Sequence, residues 1–385
     1  MSLLVIVAWL VAVILAMGLL ALWLYAIVSI HKSMRAVSRA RRAIEKRGCS
    51  ASVSVIIAAR NEAHNLEKLL PRLLVAGFSE VIVVDDASSD ETPRVLAELS
   101  RRHESLIVVR VENIPNGWAP KPYALLVGSS RASSDVLLFL DADTEPLEPE
   151  KLRCLAASMK DDEVIGFVPR FLCRTRRCAS VEAAVTATAY GFYGLHRVMS
   201  RGDDLAWMYG CCWAIRRGTY QRLGGHRLVA SSYVEDRDFA KQAKKKGLRL
   251  LLPDARDIIG VWIYDTATEY AWLIARLFVD PLGHRSKAGK MVISIATMLT
   301  SYGPLALALL APLAPSPLQP LLLAPLVTQT IAYAAGAMIE GYSPLYALPG
   351  LLYGQLVYPI GLIRALRGQV LWKNRQVRPT RSQAV

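Results

Sequence analysis

The stretch VLLFLDADTEP, residues 136–146, combines a short apolar run with two aspartates one residue apart and a closing proline. An apolar run of this length before turn-forming residues predicts a buried β-strand. Side chains alternate between the two faces of a strand, so Asp141 and Asp143 are expected on the same side. Two carboxylates this close are costly unless a positive charge lies between them. The stretch therefore predicts a strand end that holds a cation.

The residues around this stretch repeat a pattern of strand and helix. SVSVIIAAR (52–60), EVIVVDDASSD (80–90) and SLIVVRV (105–111) predict further strands. The segments between them carry apolar residues at helical spacing. We therefore expect residues 52–263 to form an α/β domain with a mostly parallel sheet.

Polar clusters follow three of the predicted strands: Asn61-Glu62, Asp85-Asp86 and Asp141 with Asp143. Ligands of open α/β sheets bind outside the carboxyl ends of the strands, so the three clusters are expected to converge. Hard oxygen ligands select Mg²⁺ or Mn²⁺, and such ions usually bridge a carboxylate to substrate phosphates. The aspartate pair thus predicts a metal that holds a diphosphate, although alone it could be a solvated, capping turn.

Two later segments carry further candidate residues. GWAPKPYALLVG (117–128) places Lys121 at the start of a helix, where a cation and N-terminal amides suit a phosphate. VEDRDFAKQAKKKG (234–247) places Glu235 and Asp236 at another helix start. A carboxylate near a bound donor can act as a general base, whereas the alternative is a solvated capping pair.

The N-terminal part of the chain is apolar and then basic. The 385 residues are 53% hydrophobic with a net charge of +14, and Leu3–Ile30 is a charge-free run long enough to cross a bilayer. We predict a transmembrane helix over 1–31, since a cleaved signal peptide would need a basic region before the apolar core. The basic segment 32–51 is predicted as a linker that places the next domain in the cytoplasm, by the positive-inside rule.

The C-terminal part is predicted to be associated with the membrane. Aromatic and basic residues interleave with aliphatic ones over 264–290, which predicts an interfacial amphipathic helix region. Residues 291–366 are predicted to form transmembrane helices, and the basic tail 367–385 is expected in the cytoplasm. Because the α/β domain and the tail would then lie on the same side, an even number of the segments between them must cross the membrane. We favour two crossings among the three apolar segments, which are Met291–Leu313, Leu318–Ile339 and Leu345–Ile363.

The positive charge indicates lipid rather than nucleic acid as the partner. The basic residues cluster beside the apolar spans, and the sequence has no helix-turn-helix, RNP or zinc-finger spacing. RFLCRTRRC (170–178) supplies a basic loop in which Arg170 and Arg174 could grip lipid phosphates, unless it is a generic membrane-facing patch.

The six cysteines show no paired spacing typical of a zinc site, so reduced thiols are the expected state. Cys173 and Cys178 could still form a bridge.

Six segments together resemble the signature blocks of glycosyltransferase family 2 enzymes with a GT-A fold, from about residue 52 to 277. The membrane layout is similar to a shortened cellulose-synthase-like enzyme and to archaeal mannosyltransferases that build lipid-linked glycans. The matching segments are AARNEAHNL (58–66), VVDDASSDET (83–92), GWAPKPYALLVG, LLFLDADT (137–144), GCCWAIRRGTYQRLGGH (210–226) and VEDRDFAKQAKKKG.

This resemblance implies roles for individual residues. Asp236 matches the final Asp of the TED motif, the catalytic base, with Val234 in place of Thr, while Asp141 and Asp143 match the DxD motif that binds Mn²⁺ or Mg²⁺. Contacts with the nucleotide are implied for Ala59, Asn61, Glu62, Asp86, Lys121 and Asp141. Contacts with the acceptor or its phosphates are implied for Glu235, Arg276, Arg170, Arg174, Trp213 and Arg375.

Two family motifs near the C-terminus differ in how well they match. In LIARLF (273–278) only Arg276 is in register with QxxRW, since Leu273 replaces Gln and Leu277 replaces Trp. That tryptophan supports the growing glucan in processive enzymes, so its loss argues against a polysaccharide synthase. LWKNR (371–375) looks like the family's tail motif and brings in Arg375.

The resemblance implies an integral membrane enzyme with its GT-A domain on the cytoplasmic face and a helical transmembrane domain. The implied reaction is inverting, metal-dependent transfer of a hexose from a nucleotide sugar to a polyprenyl- or dolichyl-phosphate-linked acceptor, in N-glycan or glycolipid synthesis. Mannose is the favoured sugar, and GDP-mannose is the favoured donor. Two alternatives are a transferase for a ceramide-, carotenoid- or hopanoid-type lipid, and a non-catalytic membrane scaffold that binds nucleotide.

Overall fold

A computed structural model describes residues 3–263, 266–283, 286–368, 371–372 and 375–376. The chain forms two compact units. The helical unit comprises Met1–Met34, Cys173–Gly194 and Ile263–Pro379, and the sheet unit is built on Arg35–Leu172 and Leu195–Trp262.

The strands form one large sheet and one small sheet within the sheet unit. The order is β3-β2-β1-β4-β8-β6-β9 in the large sheet and β5-β10-β7 in the small one. The strands are β1 (Val53–Ala59), β2 (Glu80–Asp86), β3 (Leu106–Val111), β4 (Val136–Leu140), β5 (Thr144–Pro146), β6 (Glu163–Gly166), β7 (Arg170–Leu172), β8 (Cys212–Arg216), β9 (Arg249–Leu251) and β10 (Ile259–Trp262).

The helices connect these strands and build the helical unit. They are α1 (Leu3–Glu45), α2 (Ala63–Leu74), α3 (Thr92–Ser100), α4 (Pro120–Arg131), α5 (Pro149–Ala157), α6 (Arg176–Thr188), α7 (Leu195–Val198), α8 (Arg217–Leu223), α9 (Glu235–Lys245), α10 (Ala267–Gly283), α11 (Lys287–Leu310), α12 (Gln319–Ile339) and α13 (Ala347–Leu366). A π-helical turn covers Ala189–Tyr193, and 3₁₀ turns cover Gly225–Val229, Ala311–Leu313, Ser316–Leu318 and Pro344–Tyr346.

The predicted α/β domain with a mostly parallel sheet is confirmed. Strands β3, β2, β1 and β4 are parallel to one another, β9 is parallel to β6, and β8 is antiparallel to both β4 and β6. Every residue of β4 is buried, as its continuous apolar run predicts for a strand covered on both faces. The helix α2 turns Leu66, Leu69, Leu70 and Leu73 into the core at helical spacing.

A glycine lets α4 lie close to the sheet. A Cβ atom at Gly128 would be 2.6 Å from Ile56 Cγ2 and 3.0 Å from Val84 Cγ2. We expect Gly128→Ala to lower the free energy of unfolding by about 1–3 kcal/mol, because the added methyl group overpacks this contact. Thermal unfolding of the purified chain measures the loss. Ser130→Ala, at an exposed position of the same helix, is the control, and equal stability of the two variants would contradict the packing argument.

The N-terminal helix is longer than predicted. α1 continues to Glu45, through most of the segment 32–51 that was expected to be a linker. The residues after position 31 are good helix formers, and the first glycine after them is Gly48, so nothing in the sequence breaks the helix at the predicted boundary.

Several helices indicate a membrane protein. Among the described residues, four helical segments are long and apolar enough to cross a bilayer, namely Leu3–Glu45, Lys287–Leu313, Ser316–Ile339 and Pro344–Leu366. The last three cover the predicted C-terminal segments, and how many of them cross stays a prediction.

Small residues pack α6 tightly within the helical unit. A Cβ atom at Gly336 of α12 would be 2.1 Å from the Ala183 carbonyl oxygen, and one at Gly350 of α13 would be 2.8 Å from that of Ser180. Such close approach is typical of membrane helices joined through small residues. Cys173 and Cys178 form a disulfide just before and within α6, with 5.5 Å between their Cα atoms, so the bridge that the sequence left open is present at this pair.

Candidate active site

The predicted polar clusters follow strands that end at one edge of the large sheet. β1 lies between β2 and β4 and is parallel to both, so the residues after Ala59, Asp86 and Leu140 are at the same edge. The strand order reverses between β1 and β4, and such a switch point is where open α/β sheets bind ligands.

Hydrogen bonds join the loop after β1 to the loop after β2. The Asn61 main-chain N–H donates to Ser88 Oγ (2.9 Å), and the Glu62 N–H donates to Thr92 Oγ1 (2.9 Å). Asn61 and Ala87 both have left-handed backbone angles, with φ of 53° and 46°. The left-handed region is uncommon for alanine although asparagine adopts it more readily, and the hydrogen bonds join the two loops into what is called here the rigid rim.

Two carboxylates of this rim are buried and suited to a nucleoside. Glu62 Oε2 accepts a hydrogen bond from Asn65 Nδ2 (2.6 Å). Asp86 Oδ2 lies 3.6 Å from Arg60 Nη1, which also donates to the Asp86 carbonyl oxygen at 2.7 Å. These contacts fix carboxylate oxygens that could accept hydrogen bonds from a ribose or a base.

The neighbouring Asp85 has a structural contact instead. Its Oδ2 lies 2.7 Å from Arg110 Nη1 of β3, and its Oδ1 accepts from the Ser88 N–H at 3.0 Å. Asp85 thus has the shorter ion pair, and the contact of Asp86 with the nucleotide stays a prediction. Ala59, also predicted at the nucleotide, is the last residue of β1 and is buried.

The second half of the site is the turn after β4. The Asp141 N–H donates to the Cys211 carbonyl oxygen (2.9 Å), and the Thr144 N–H donates back to the Asp141 carbonyl oxygen (3.1 Å). β4 ends at Leu140, so strand alternation is not what places Asp141 and Asp143, contrary to the prediction. Ala142 between them is buried, while Asp143 is exposed.

Lys121 supplies the positive charge that the carboxylates require. Its Nζ lies 2.7 Å from Asp141 Oδ1 and 2.8 Å from Glu235 Oε1, and its side chain is 18% exposed. Burial lowers the pKa of Lys121, but the carboxylates of Asp141 and Glu235 raise it by more, and the net pKa is above its ordinary value. The ammonium therefore stays charged and joins the turn after β4 to the start of α9.

Asp236, the predicted catalytic base, lies next to this ion-pair network. It occupies the first turn of α9, and its side chain is partly exposed. A Cβ atom at Gly210 would be only 2.6 Å from Asp236 Oδ2, so the carboxylate lies directly against the Gly210 main chain. The carboxylate is thus held at the site but still open on one side.

The contact between Gly210 and Asp236 gives a test of positioning. We expect Gly210→Ala to lower kcat about 10- to 100-fold, because the new methyl group must displace the carboxylate and small misplacements of catalytic groups are costly. The measurement is steady-state sugar transfer, with the thermal midpoint recorded for each variant. Gly202→Ala is the control, since a Cβ atom there meets nothing within 4 Å. Equal kcat for both variants would show that the contact does not position Asp236.

The predicted acceptor residue Trp213 lies in the core. It is 0% exposed, stacks on Phe139 with 4.2 Å between ring centroids and lies 4.8 Å from the Phe239 ring. That placement does not fit the predicted acceptor contact. On β8 the Trp213 side chain faces the core of the sheet unit, where a bound acceptor would not reach it. Cys211, two residues before Trp213, stays a neutral thiol, because burial and the carboxylates of Asp141 and Asp143 raise its pKa well above the ordinary value.

The other predicted acceptor residues lie on several elements. Arg170 begins β7 in the sheet unit, while Arg174 precedes α6 and Arg276 lies on α10 in the helical unit. Arg375 lies in a two-residue strand paired with Leu371–Trp372, and its side chain is outside the described part of the chain. A role for these arginines in acceptor binding stays a prediction.

The residues at the turn after β4 fit a hard divalent cation. Asp141 and Asp143 offer only oxygen ligands, as Mg²⁺ and Mn²⁺ prefer. Within the described residues, no cluster of three or more His, Cys, Asp or Glu side chains could hold a metal. Asp141 and Asp143 are the residues of this turn that would hold such a cation.

Sequence reasoning missed the residues that hold the centre together. Glu235 was predicted as an acceptor contact, but it pairs with Lys121. Gly210 begins the segment 210–226, which resembles the family, but no role was predicted for it. A glycine just before a strand often marks a close approach of two groups, which is the signal that could have identified it.

The switch point, the DxD turn and the carboxylate at a helix start, on this mostly parallel sheet, are the features of a GT-A glycosyltransferase fold. The protein-family comparison agrees, since residues 54–224 match the model described as Glycosyl transferase family 2. Residues 54–224 are thus a glycosyltransferase family 2 domain. The members of this family are enzymes. The match ends before Asp236.

Two curated relatives match parts of the chain. The 4,4'-diaponeurosporenoate glycosyltransferase of Staphylococcus haemolyticus (strain JCSC1435) is 27% identical over 221 residues, or 56% of this chain and 57% of the relative. The undecaprenyl-phosphate 4-deoxy-4-formamido-L-arabinose transferase of Edwardsiella ictaluri (strain 93-146) is 31% identical over 121 residues. These cover 30% of this chain and 36% of the relative. The chain thus spans little more than half of one relative and about a third of the other.

A solved structure shares the fold over most of the chain. The mannosyltransferase PcManGT from Pyrobaculum calidifontis, in complex with GDP-Man and Mn²⁺, aligns with a TM-score of 0.51 and 18% identity, covering 92% of this chain and 99% of that chain.

Proposed function

We propose that the protein is an inverting, metal-dependent membrane glycosyltransferase that moves a hexose from a nucleotide sugar to a polyprenyl- or dolichyl-phosphate-linked acceptor, in glycan or glycolipid synthesis. The observation that carries the proposal is the joining of Asp141, Lys121 and Glu235 by ion pairs beside Asp236, at the carboxyl edge of the sheet. The catalytic domain is placed on the cytoplasmic face because the basic residues after position 31 follow the first span.

The residues divide the reaction between them. Glu62 and Asp86 hold the nucleoside from the rigid rim, and Lys121 lies where it can meet the negative charge of the diphosphate. Asp236 accepts the proton of the acceptor hydroxyl as that oxygen attacks the anomeric carbon, while the bond to the diphosphate breaks on the opposite face. A Mn²⁺ or Mg²⁺ ion held by Asp141 and Asp143 would neutralise charge on the departing nucleoside diphosphate.

Mannose and GDP-mannose are the favoured sugar and donor. The solved neighbour PcManGT carries GDP-Man and Mn²⁺, and the sequence resembles archaeal mannosyltransferases. One relative is an undecaprenyl-phosphate transferase, which supports a lipid phosphate in the acceptor. The other relative acts on diaponeurosporenoate and favours a second candidate, a transferase for a carotenoid-type lipid without phosphate.

A panel of radiolabelled nucleotide sugars tests the proposal. The purified chain is incubated with Mn²⁺ and either polyprenyl-phosphate-linked or carotenoid acceptors, and lipid-extractable label is counted. Label on the phosphate-linked acceptor from GDP-mannose, lost on chelation, is the expected result. Label only on the carotenoid would favour the second candidate, and donor binding without any transfer would contradict both.

A further inference from the structure

A short loop of the helical unit, closed by a disulfide, carries a concentration of positive charge. The bond between Cys173 and Cys178 joins the ends of the sequence CRTRRC, which is called here the arginine loop and contains no acidic residue. Its three arginines are all exposed, namely Arg174, Arg176 and Arg177. Arg170, at the start of β7, adds a further positive charge to the chain just before the loop.

Hydrogen bonds fix the backbone of the arginine loop in addition to the disulfide. The Cys173 N–H donates to the hydroxyl of Tyr342 at 2.8 Å. The Cys178 N–H donates to Thr175 Oγ1 at 3.1 Å, which caps the start of α6. Like charges repel one another, so a free segment with this sequence would spread out. The disulfide and these bonds instead hold the charges together.

The arginine loop lies level with the turn between α12 and α13. Tyr342 is in that turn, between the apolar helical segments Ser316–Ile339 and Pro344–Leu366. The Arg177 guanidinium carbon lies 5.9 Å from the centroid of the Tyr353 ring on α13, and Tyr353 is 39% exposed. Tyrosines and arginines at the ends of membrane helices are typical of the level of the lipid headgroups. The loop therefore borders a face of α13 suited to lipid.

The acidic residues closest to the loop in the helical unit are buried and contact other groups. Glu182 and Glu340 are each 1% exposed, and Thr186 Oγ1 lies 2.8 Å from an oxygen of the first and 3.0 Å from an oxygen of the second. In the part of the chain that the structure describes, neither Arg176 nor Arg177 forms a salt bridge. The outer surface of the loop thus keeps its positive charge.

We propose that the arginine loop is a binding surface for the anionic headgroups of bilayer phospholipids, preorganised by the disulfide. Guanidinium groups bind phosphate oxygens through pairs of N–H groups. Holding the loop in one arrangement lowers the entropy lost on binding. A bilayer lipid is the partner because Arg177 lies over a ring on an exposed face of α13. The loop belongs to the helical unit, whereas Asp141, Lys121 and Asp236 belong to the sheet unit, so the proposal does not depend on the sugar donor or acceptor.

The test uses short-chain phospholipids and the full chain in neutral detergent. Binding of dioctanoyl phosphatidylglycerol is measured by titration calorimetry and compared with dioctanoyl phosphatidylcholine, which has no net charge. We expect wild type to bind the anionic lipid about 100-fold more tightly, because each arginine near an anionic headgroup contributes a factor of about five. Arg176→Gln combined with Arg177→Gln should therefore raise that Kd about 30-fold. Arg101→Gln combined with Arg131→Gln, at two exposed arginines of the sheet unit, is the matched control and should leave the Kd unchanged.

Removal of the disulfide tests preorganisation with every arginine in place. Cys173→Ser combined with Cys178→Ser should raise the Kd for phosphatidylglycerol about 3- to 10-fold, the usual effect of ordering one or two side chains on binding. Reduction of the wild-type disulfide with a phosphine should give the same rise. A Kd equal to that of wild type in both cases would overturn the role of the disulfide.

Two further comparisons decide the identity of the partner. Equal binding of the two lipids by wild type, or equal Kd values for the arginine variant and its control, would overturn the proposal. Inorganic phosphate and a short isoprenyl phosphate are added as competitors. Displacement of phosphatidylglycerol by inorganic phosphate at equal concentration would indicate a site for a free anion, and tighter binding of the isoprenyl phosphate would assign the loop to the acceptor. Either result would contradict a surface for bilayer lipid, whereas weak competition by both supports it.

Discussion

Asp236→Asn is expected to lower kcat by about 10²- to 10⁴-fold, the usual contribution of a positioned general base. The amide has nearly the same shape as the carboxylate, so its packing against Gly210 should persist, but it cannot take the proton of the acceptor hydroxyl. Transfer of labelled sugar under saturating donor and acceptor measures the change.

The control for this variant is Asp204→Asn, an exposed aspartate of the same unit. Donor Kd should be unchanged in both variants, because Asp236 is assigned to the acceptor side of the reaction. A kcat for Asp236→Asn within twofold of wild type would remove Asp236 from the mechanism. A loss of donor binding of the same size as the loss of kcat would move it to the donor site.

Lys121→Met should lower the free energy of unfolding by about 3 kcal/mol, the lower end of the range for breaking a buried ion pair. The substitution leaves Glu235, which is 6% exposed, without its cation, while Asp141 is 32% exposed and can be solvated in part. Donor affinity should fall as well, since Lys121 is assigned to the diphosphate. Thermal or denaturant unfolding and titration with the nucleotide sugar measure the two effects.

A surface ion pair provides the matched control for this prediction. Lys151 Nζ lies 3.2 Å from Asp257 Oδ2, and both side chains are about half exposed, so Lys151→Met should cost less than about 1 kcal/mol. The double variant Lys121→Met with Glu235→Gln should recover part of the lost stability, because the uncompensated carboxylate is then neutral. Equal losses for Lys121→Met and Lys151→Met would show that the buried network does not stabilise the fold.

The sheet could be predicted from the sequence because its strands are continuous apolar runs ended by polar residues. The segments 52–60, 80–90 and 136–146 each contain a strand of the large sheet, followed by the acidic and polar residues of the site. Parallel pairing then brings the strand ends to one edge, so the convergence of Glu62, Asp86 and Asp141 followed from topology.

The contacts among these residues could not be predicted in the same way. Lys121 and Glu235 are far apart in the chain, and their pairing depends on where α4 and α9 begin against the sheet. The burial of Trp213 depends on the face of β8 that meets the core, which a five-residue apolar strand does not reveal. Likewise, residues 32–45 are rich in charge, which suggested a linker, but most of them are also good helix formers. In the structure they are helical.

The anomeric configuration of the transferred sugar tests the central claim most directly. The lipid product made by the purified chain from the active nucleotide sugar is isolated, and its anomeric coupling is measured by NMR. A single displacement with Asp236 as the base predicts a configuration opposite to that of the donor. Retention of the donor's configuration would contradict the account. Retention requires a second displacement or attack from the leaving-group side, and the account assigns neither to these carboxylates.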